Sequence, residues 1–195
     1  MTIKEYRCSP AFNKQPSHVQ QIKQNHFQLF KLSESFELDV STLAENYRQL
    51  QLEAHPDRFA AASETEKMRA VQLSSYLNEA YDTLKSTLRR AAYLLSLHDV
   101  DVEQVNQSDL SMDLLLEQIQ LREALDELPK DSSALPALEK LKADVTVKLA
   151  GMERKFADGL QRHEFGSAKK IFHEMQFLHK LLAEIDSSEE QCLGY

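Results

Sequence analysis

The chain has 195 residues, a net charge of -8 and 42% hydrophobic residues, enough apolar side chains to pack one large domain or two small ones. Its four glycines and five prolines favour long helices over a turn-rich β fold, and its acidity argues against a generic nucleic-acid surface. Two cysteines, Cys8 and Cys192, stand near opposite ends and form neither a disulfide framework nor a zinc spacing, which points to a reducing compartment.

Residues 1–24 are polar, lack helical period and lack the apolar run of a secretory signal, so a loose extension, or the product of an early start codon, is expected there. Phe27, Leu29, Phe30 and Leu32 then form a short apolar element. A helix is expected over 41–54, with Leu43, Tyr47, Leu50 and Ala54 along one face. Pro56 biases His55 away from the α region and stops that helix. The polar break over 53–63 ends at Ser63, with Glu66 three residues on, the spacing of a capping box. The next helix, over 64–84, buries Ala70, Leu73, Leu77, Ala80 and Leu84. These two helices should form an antiparallel hairpin with His55-Pro56-Asp57 exposed at its tip. A short helix over 87–97 closes this first unit, and 98–108 reads as a linker.

Three further helices are expected over 111–128, 133–156 and 163–185, with Pro136 confined to the first turn of its helix and Asp158-Gly159 weakening the end of the middle one. No segment is apolar enough to span a bilayer. The middle helix carries the core stripe Leu138, Leu141, Val145, Leu149, Met152 and Phe156, and the last carries Ala168, Ile171, Met175, Leu178, Leu182 and Ile185. The helix from Ser111 has two stripes. Leu114, Leu121, Leu125 and Leu128 form one, while Met112, Leu115, Leu116 and Ile119 lie nearly opposite. A bundle with one core leaves the second stripe over, and Phe177 and Leu181 likewise point away from theirs. The surplus stripe either packs on the first unit or forms a partner site, where each fully buried anchor contributes about 1.5–3 kcal/mol before association costs.

The first half resembles a J-domain, the module with which co-chaperones stimulate the ATPase of DnaK-type chaperones. The resemblance runs through His55-Pro56-Asp57-Arg58-Phe59, Leu77-Asn78-Glu79-Ala80-Tyr81 and the stretch from Leu88 to His98. That last segment is similar to the HscB branch, the J-proteins of iron–sulfur cluster assembly. Leu115-Leu116-Glu117-Gln118-Ile119-Gln120-Leu121-Arg122-Glu123 and Phe177-Leu178-His179-Lys180-Leu181 carry the same likeness into the second half. It implies an all-α protein with an extension over 1–24, a J-domain over 25–98, a linker over 99–108 and a three-helix scaffold-binding domain over 109–195. It further implies that His55, Pro56 and Asp57, with Arg48 and Arg58, meet an HscA-type chaperone. Leu115, Leu116, Ile119, Glu123 and Phe177 would hold an IscU-type cluster scaffold. No cofactor, nucleic acid or membrane partner is expected, and the location implied is the bacterial cytoplasm, with the mitochondrial matrix as the alternative.

Three departures stand against the family pattern. Arg48 is the one basic residue of the first hairpin helix, Gln120 replaces a possible acid, and the extension holds Cys8 alone where many eukaryotic relatives have paired CxxC motifs. An enzyme is not expected: His55 and Asp57 flank a proline at i, i+2, but no Gly-rich phosphate loop or nucleophile constellation accompanies them. His173-Glu174 is half of a zincin motif, with Phe177 at the position of the second histidine, so His163, His173 and His179 read as exposed helix residues or local caps. A J-protein serving a different client is the alternative reading.

Overall fold

A computed structural model describes residues 24–59, 61–103 and 112–194, with the side chains of Pro56 and Asp113 excepted. The expected extension, Gln24 excepted, and the linker beyond Glu103 lie outside the described residues. The elements are α1 (His26–Leu29), α2 (Val40–Ala54), a 3₁₀ turn (Pro56–Phe59), α3 (Glu64–Lys85), α4 (Thr87–Ser96), α5 (Met112–Asp126), a second 3₁₀ turn (Ser132–Ala134), α6 (Leu135–Gln161) and α7 (Phe165–Leu193). Every one of them is helical, as the spacing of apolar residues requires. The described residues form two compact units. One holds those up to Ser33 with Ser41–Tyr81; the other holds Glu34–Val40 with those from Asp82 onward.

In the first unit, Asn25 and Gln28 cap α1 reciprocally: the Gln28 amide donates to Asn25 Oδ1 at 2.8 Å and the Asn25 amide to Gln28 Oε1 at 3.3 Å. Phe27, Phe30, Leu43, Leu73 and Leu77 are the large side chains of its core, joined by Leu29, Ala54, Ala70 and Ala80. The hairpin α2/α3 is joined through Tyr47. Its ring stacks on Tyr81 with centroids 4.2 Å apart, and its hydroxyl donates to Asn78 Oδ1 at 2.8 Å. Asn46 Nδ2 donates to the Phe30 carbonyl at 2.9 Å, which ties the segment after α1 to α2.

In the second unit, α7 is the central helix and packs on α4, α5 and α6. A helix with three neighbours buries a wider arc than one stripe. Phe172 and Leu181 therefore enter the core at 2% and 1% exposure, while Ile171 and Leu182 are only half-buried. This corrects the expectation that Leu181 points away from the core. The middle helix also runs past its expected end, because Gly159 continues α6 to Gln161. A Cβ there would meet Ala168 Cβ at 3.7 Å, so the two helices approach closely at this point. At the other end α7 outlasts its apolar pattern. Lys142 Nζ reaches Asp186 Oδ1 at 2.6 Å and Glu189 Oε2 at 2.7 Å, so ion pairs hold turns that carry no apolar repeat.

The second unit also gathers Phe36, from the short segment before α2. Phe36 meets Phe156 edge-on at 4.8 Å, and the buried Arg90 donates from Nε to the Phe36 carbonyl at 2.8 Å. Arg90 NH1 donates to the Leu84 carbonyl at 2.5 Å, and the guanidinium lies 5.3 Å from the Phe36 ring centroid.

Three helix ends use a non-glycine residue in the left-handed region: Lys31, Asp99 and His163. In each, the amide of the following residue reaches back to a carbonyl five positions earlier, with Leu32 to Phe27 at 2.9 Å, Val100 to Leu95 at 3.1 Å and Glu164 to Gly159 at 2.9 Å. Helix ends closed this way need little glycine. Gly151, by contrast, sits in mid-α6 with nothing within 4 Å of a Cβ built on it. Gly151→Ala should raise the unfolding free energy by up to about 1 kcal/mol, because alanine removes the helix penalty of glycine without a clash. Urea titration checks this, and a destabilised variant would refute it.

Candidate partner-binding sites

Two surfaces gather the residues singled out by the sequence. The first is the tip of the α2/α3 hairpin. α2 ends at Ala54, and Pro56 opens the 3₁₀ turn that follows. The Arg58 amide donates to the His55 carbonyl at 3.0 Å and closes the turn. The Asp57 amide donates to His55 Nδ1 at 3.3 Å. Asp57 Oδ2 lies 3.7 Å from the same nitrogen, beyond hydrogen-bond range, and its side chain is 91% exposed. Arg58 turns back on the preceding helix and donates from Nη1 to the Leu52 carbonyl at 3.2 Å, satisfying one of the open carbonyls at the end of α2. Arg48 is exposed on α2 one turn before Leu52.

Ser63 and Glu66 form the expected capping box, with the Ser63 amide donating to Glu66 Oε2 at 3.0 Å and the Glu66 amide to Ser63 Oγ at 3.3 Å. The Ser63 hydroxyl holds the Glu66 carboxyl below its usual range. The structure adds exposed apolar side chains on this unit, Leu52, Met68 and Val71. Their signal in the sequence is that they fall off the core stripes of α2 and α3.

The second surface is the outer side of α5. Met112, Leu116 and Ile119 are exposed at 70%, 50% and 53%, Leu115 is half-buried, and Glu123 is exposed. The opposite stripe, Leu114, Leu121 and Leu125, is half-buried throughout. Of the outer stripe, Met112, Leu116 and Ile119 are set apart by exposure, while Leu115 is half-buried like the inner stripe. Phe177 on α7 is half-buried, with the Arg122 guanidinium 6.0 Å from its ring centroid. Arg122 NH2 also donates to Glu184 Oε1 at 3.4 Å. Arg122 lies between Ile119 and Glu123 in α5, so this contact sets Phe177 beside that helix. The apolar pattern marks Ile119 and Phe177 on either side, whereas the charge of Arg122 reads in the sequence as an ordinary solvated one.

Lys148 fastens α5 from its inner side by pairing with Glu117 and, at 3.1 Å, with Glu174 Oε1. Burial works against its charge, but the two carboxylates hold its ammonium above the usual lysine range.

The histidines divide. His163 is exposed at a helix end, as expected, and His179 is half-buried, with burial pulling its imidazole below the usual range. His173 is buried at 7% exposure, which corrects the expectation of an exposed residue; its Nδ1 lies 3.1 Å from Gln176 Oε1. Among the described residues no three His, Cys, Asp or Glu side chains are placed to hold a metal ion, and no helix is long and apolar enough to cross a membrane.

Residues 110–186 match the family described as the HSCB C-terminal oligomerisation domain. The co-chaperone protein HscB homolog of Aeromonas salmonicida is 37% identical over 166 residues, covering 85% of this chain and 96% of the relative. Among solved structures, chaperone HscB from Vibrio cholerae aligns with a TM-score of 0.77 at 37% identity, over 86% of this chain and 99% of that one. Human co-chaperone HscB aligns with a TM-score of 0.78 at 27% identity, over 85% and 82%. An all-helical chain with a His55-Pro56-Asp57 hairpin tip ahead of this bundle is, by class, a J-domain co-chaperone. Similar over most of its length to curated co-chaperones, the chain belongs to the HscB family.

Proposed function

We propose that this co-chaperone couples an IscU-type iron–sulfur scaffold to an HscA-type chaperone and assists cluster maturation in the bacterial cytoplasm. The J-domain of this reading spans 25–98, followed by a linker over 99–108 and the scaffold-binding domain over 109–195. The observation that carries it is the pairing, in one family member, of a turn with exposed His55 and Asp57 and an exposed apolar face on α5. Asp57 offers an accessible acceptor carboxylate and Pro56 sets the backbone of the turn, while Arg48 and Arg58 add positive charge nearby. Leu115, Leu116, Ile119 and Phe177 supply apolar anchors, and Glu123 sits at their rim.

The co-chaperone on this reading has no catalytic group of its own. It binds the ATPase-active conformation of the chaperone better than the resting one, and that difference in affinity is the stimulation. Delivery of the scaffold by the bundle then coincides with hydrolysis.

His55→Gln should abolish stimulation of the chaperone ATPase and leave scaffold affinity at the wild-type value. Steady-state ATP hydrolysis and isothermal titration calorimetry measure the two sides separately. Loss of both together would sink the two-site reading. Recovery of a different client in place of the scaffold would turn the bundle to the alternative, a J-protein for another substrate.

A further inference from the structure

We infer that His55 acts through Asp57, as a positioning residue: its neutral ring carries the proton on Nε2 and uses Nδ1 to accept the Asp57 amide. The Asp57 amide nitrogen lies 3.3 Å from Nδ1. A backbone N–H only donates, so Nδ1 presents its lone pair and the proton of the neutral ring resides on Nε2. This acceptor at residue i holding the amide of residue i+2 has the form of an Asx-turn, here built by an imidazole.

Its consequence is the direction in which the polar groups of the turn face. The carboxylate of Asp57 is not taken by the ring, since Oδ2 is 3.7 Å from Nδ1 and 91% of the side chain is exposed. Arg58 does not take it either, because its guanidinium reaches the Leu52 carbonyl. The ring therefore shapes the turn from inside and leaves an Asp57 carboxylate pointing outward for the chaperone. The inference rests on the proposed function only in naming that partner.

Asparagine and glutamine separate the two halves of the imidazole. Asn Oδ1 stands where Nδ1 does and forms Asx-turns readily; Gln is one bond longer and places its amide near the position of Nε2. If His55 positions Asp57, His55→Asn should keep ATPase stimulation within about threefold of wild type, and His55→Gln should lose about tenfold or more. The ring-nitrogen chemical shifts of the full-length protein, measured by ¹⁵N NMR where the ring is neutral, should show the Nε2–H tautomer. A dominant Nδ1–H tautomer overturns the inference. So does equal loss in both variants, or a Gln variant better than the Asn variant, since either makes Nε2 a direct partner contact. If wild type stimulates no HscA-type chaperone, the functional reading fails, and the tautomer measurement still decides whether Nδ1 holds the Asp57 amide.

Discussion

Replacing Leu115, Leu116 and Phe177 together with alanine should weaken scaffold binding by at least about 100-fold, while the helical circular dichroism stays at the wild-type value. Truncating a central apolar anchor costs about 1–2 kcal/mol or more, and three such losses at one patch combine to several powers of ten in affinity. The fold should survive because Leu116 is half exposed and Leu115 and Phe177 are only half-buried, so none leaves a closed cavity. Val147→Ala is the matched control. Val147 is 75% exposed on α6, and its truncation should leave scaffold binding unchanged. A triple variant that binds within a fewfold of wild type, measured by calorimetry, would remove the α5 face from the function.

The largest loss of stability is expected at Arg90, a residue with no part in either proposed surface. Arg90→Ala should lower the unfolding free energy by about 3 kcal/mol. The side chain is 7% exposed and donates to two backbone carbonyls, those of Phe36 and Leu84. Removing it leaves both acceptors without that donor and takes the cation from the Phe36 ring. Burial pulls the guanidinium below its usual range, and the negative charge of Glu153 pulls it back up. Arg90→Lys should recover only part of the loss, because a point-charge ammonium cannot reproduce the planar fork. Amide exchange should quicken over residues 34–40 first, since Phe36 is the apolar side chain that anchors this segment. An alanine variant within 1 kcal/mol of wild type in urea titration would refute this role for Arg90.

Much of this was legible in the chain because the deciding physics is local. Pro56 stops α2 by biasing His55 away from the α region. Ser63 and Glu66 start α3 by bonding each other's amides three residues apart. Apolar residues three and four apart mark the buried side of a helix, and on α5 two such sets on opposite sides announced a surplus face. Met112, Leu116 and Ile119 are exposed where that reasoning put them. None of this needs knowledge of what lies across the core.

What escaped the sequence depends on neighbours far along the chain. Leu181 read as an outward residue and is buried, because α7 touches three helices and its buried arc is wider than one stripe. His173 read as a solvated histidine and is buried in the same arc. Gly159 read as a weak point and continues α6, because the start of α7 comes close there and a small residue suits that approach. Arg90 and Phe36 carry no local mark of burial in the sequence. They meet across 54 positions of sequence, with Phe156 against the Phe36 ring and the Leu84 carbonyl on the guanidinium. The sequence by itself determined the run of helices, the Ser63–Glu66 cap, the His55-Pro56-Asp57 turn and the spare face of α5, since each follows from interactions within a few residues. Only the tertiary structure decided the width of each buried arc, the burial of Arg90 and the direction of the groups within the turn. Those outcomes depend on which side chains and carbonyls meet in space, and local periodicity carries no record of that.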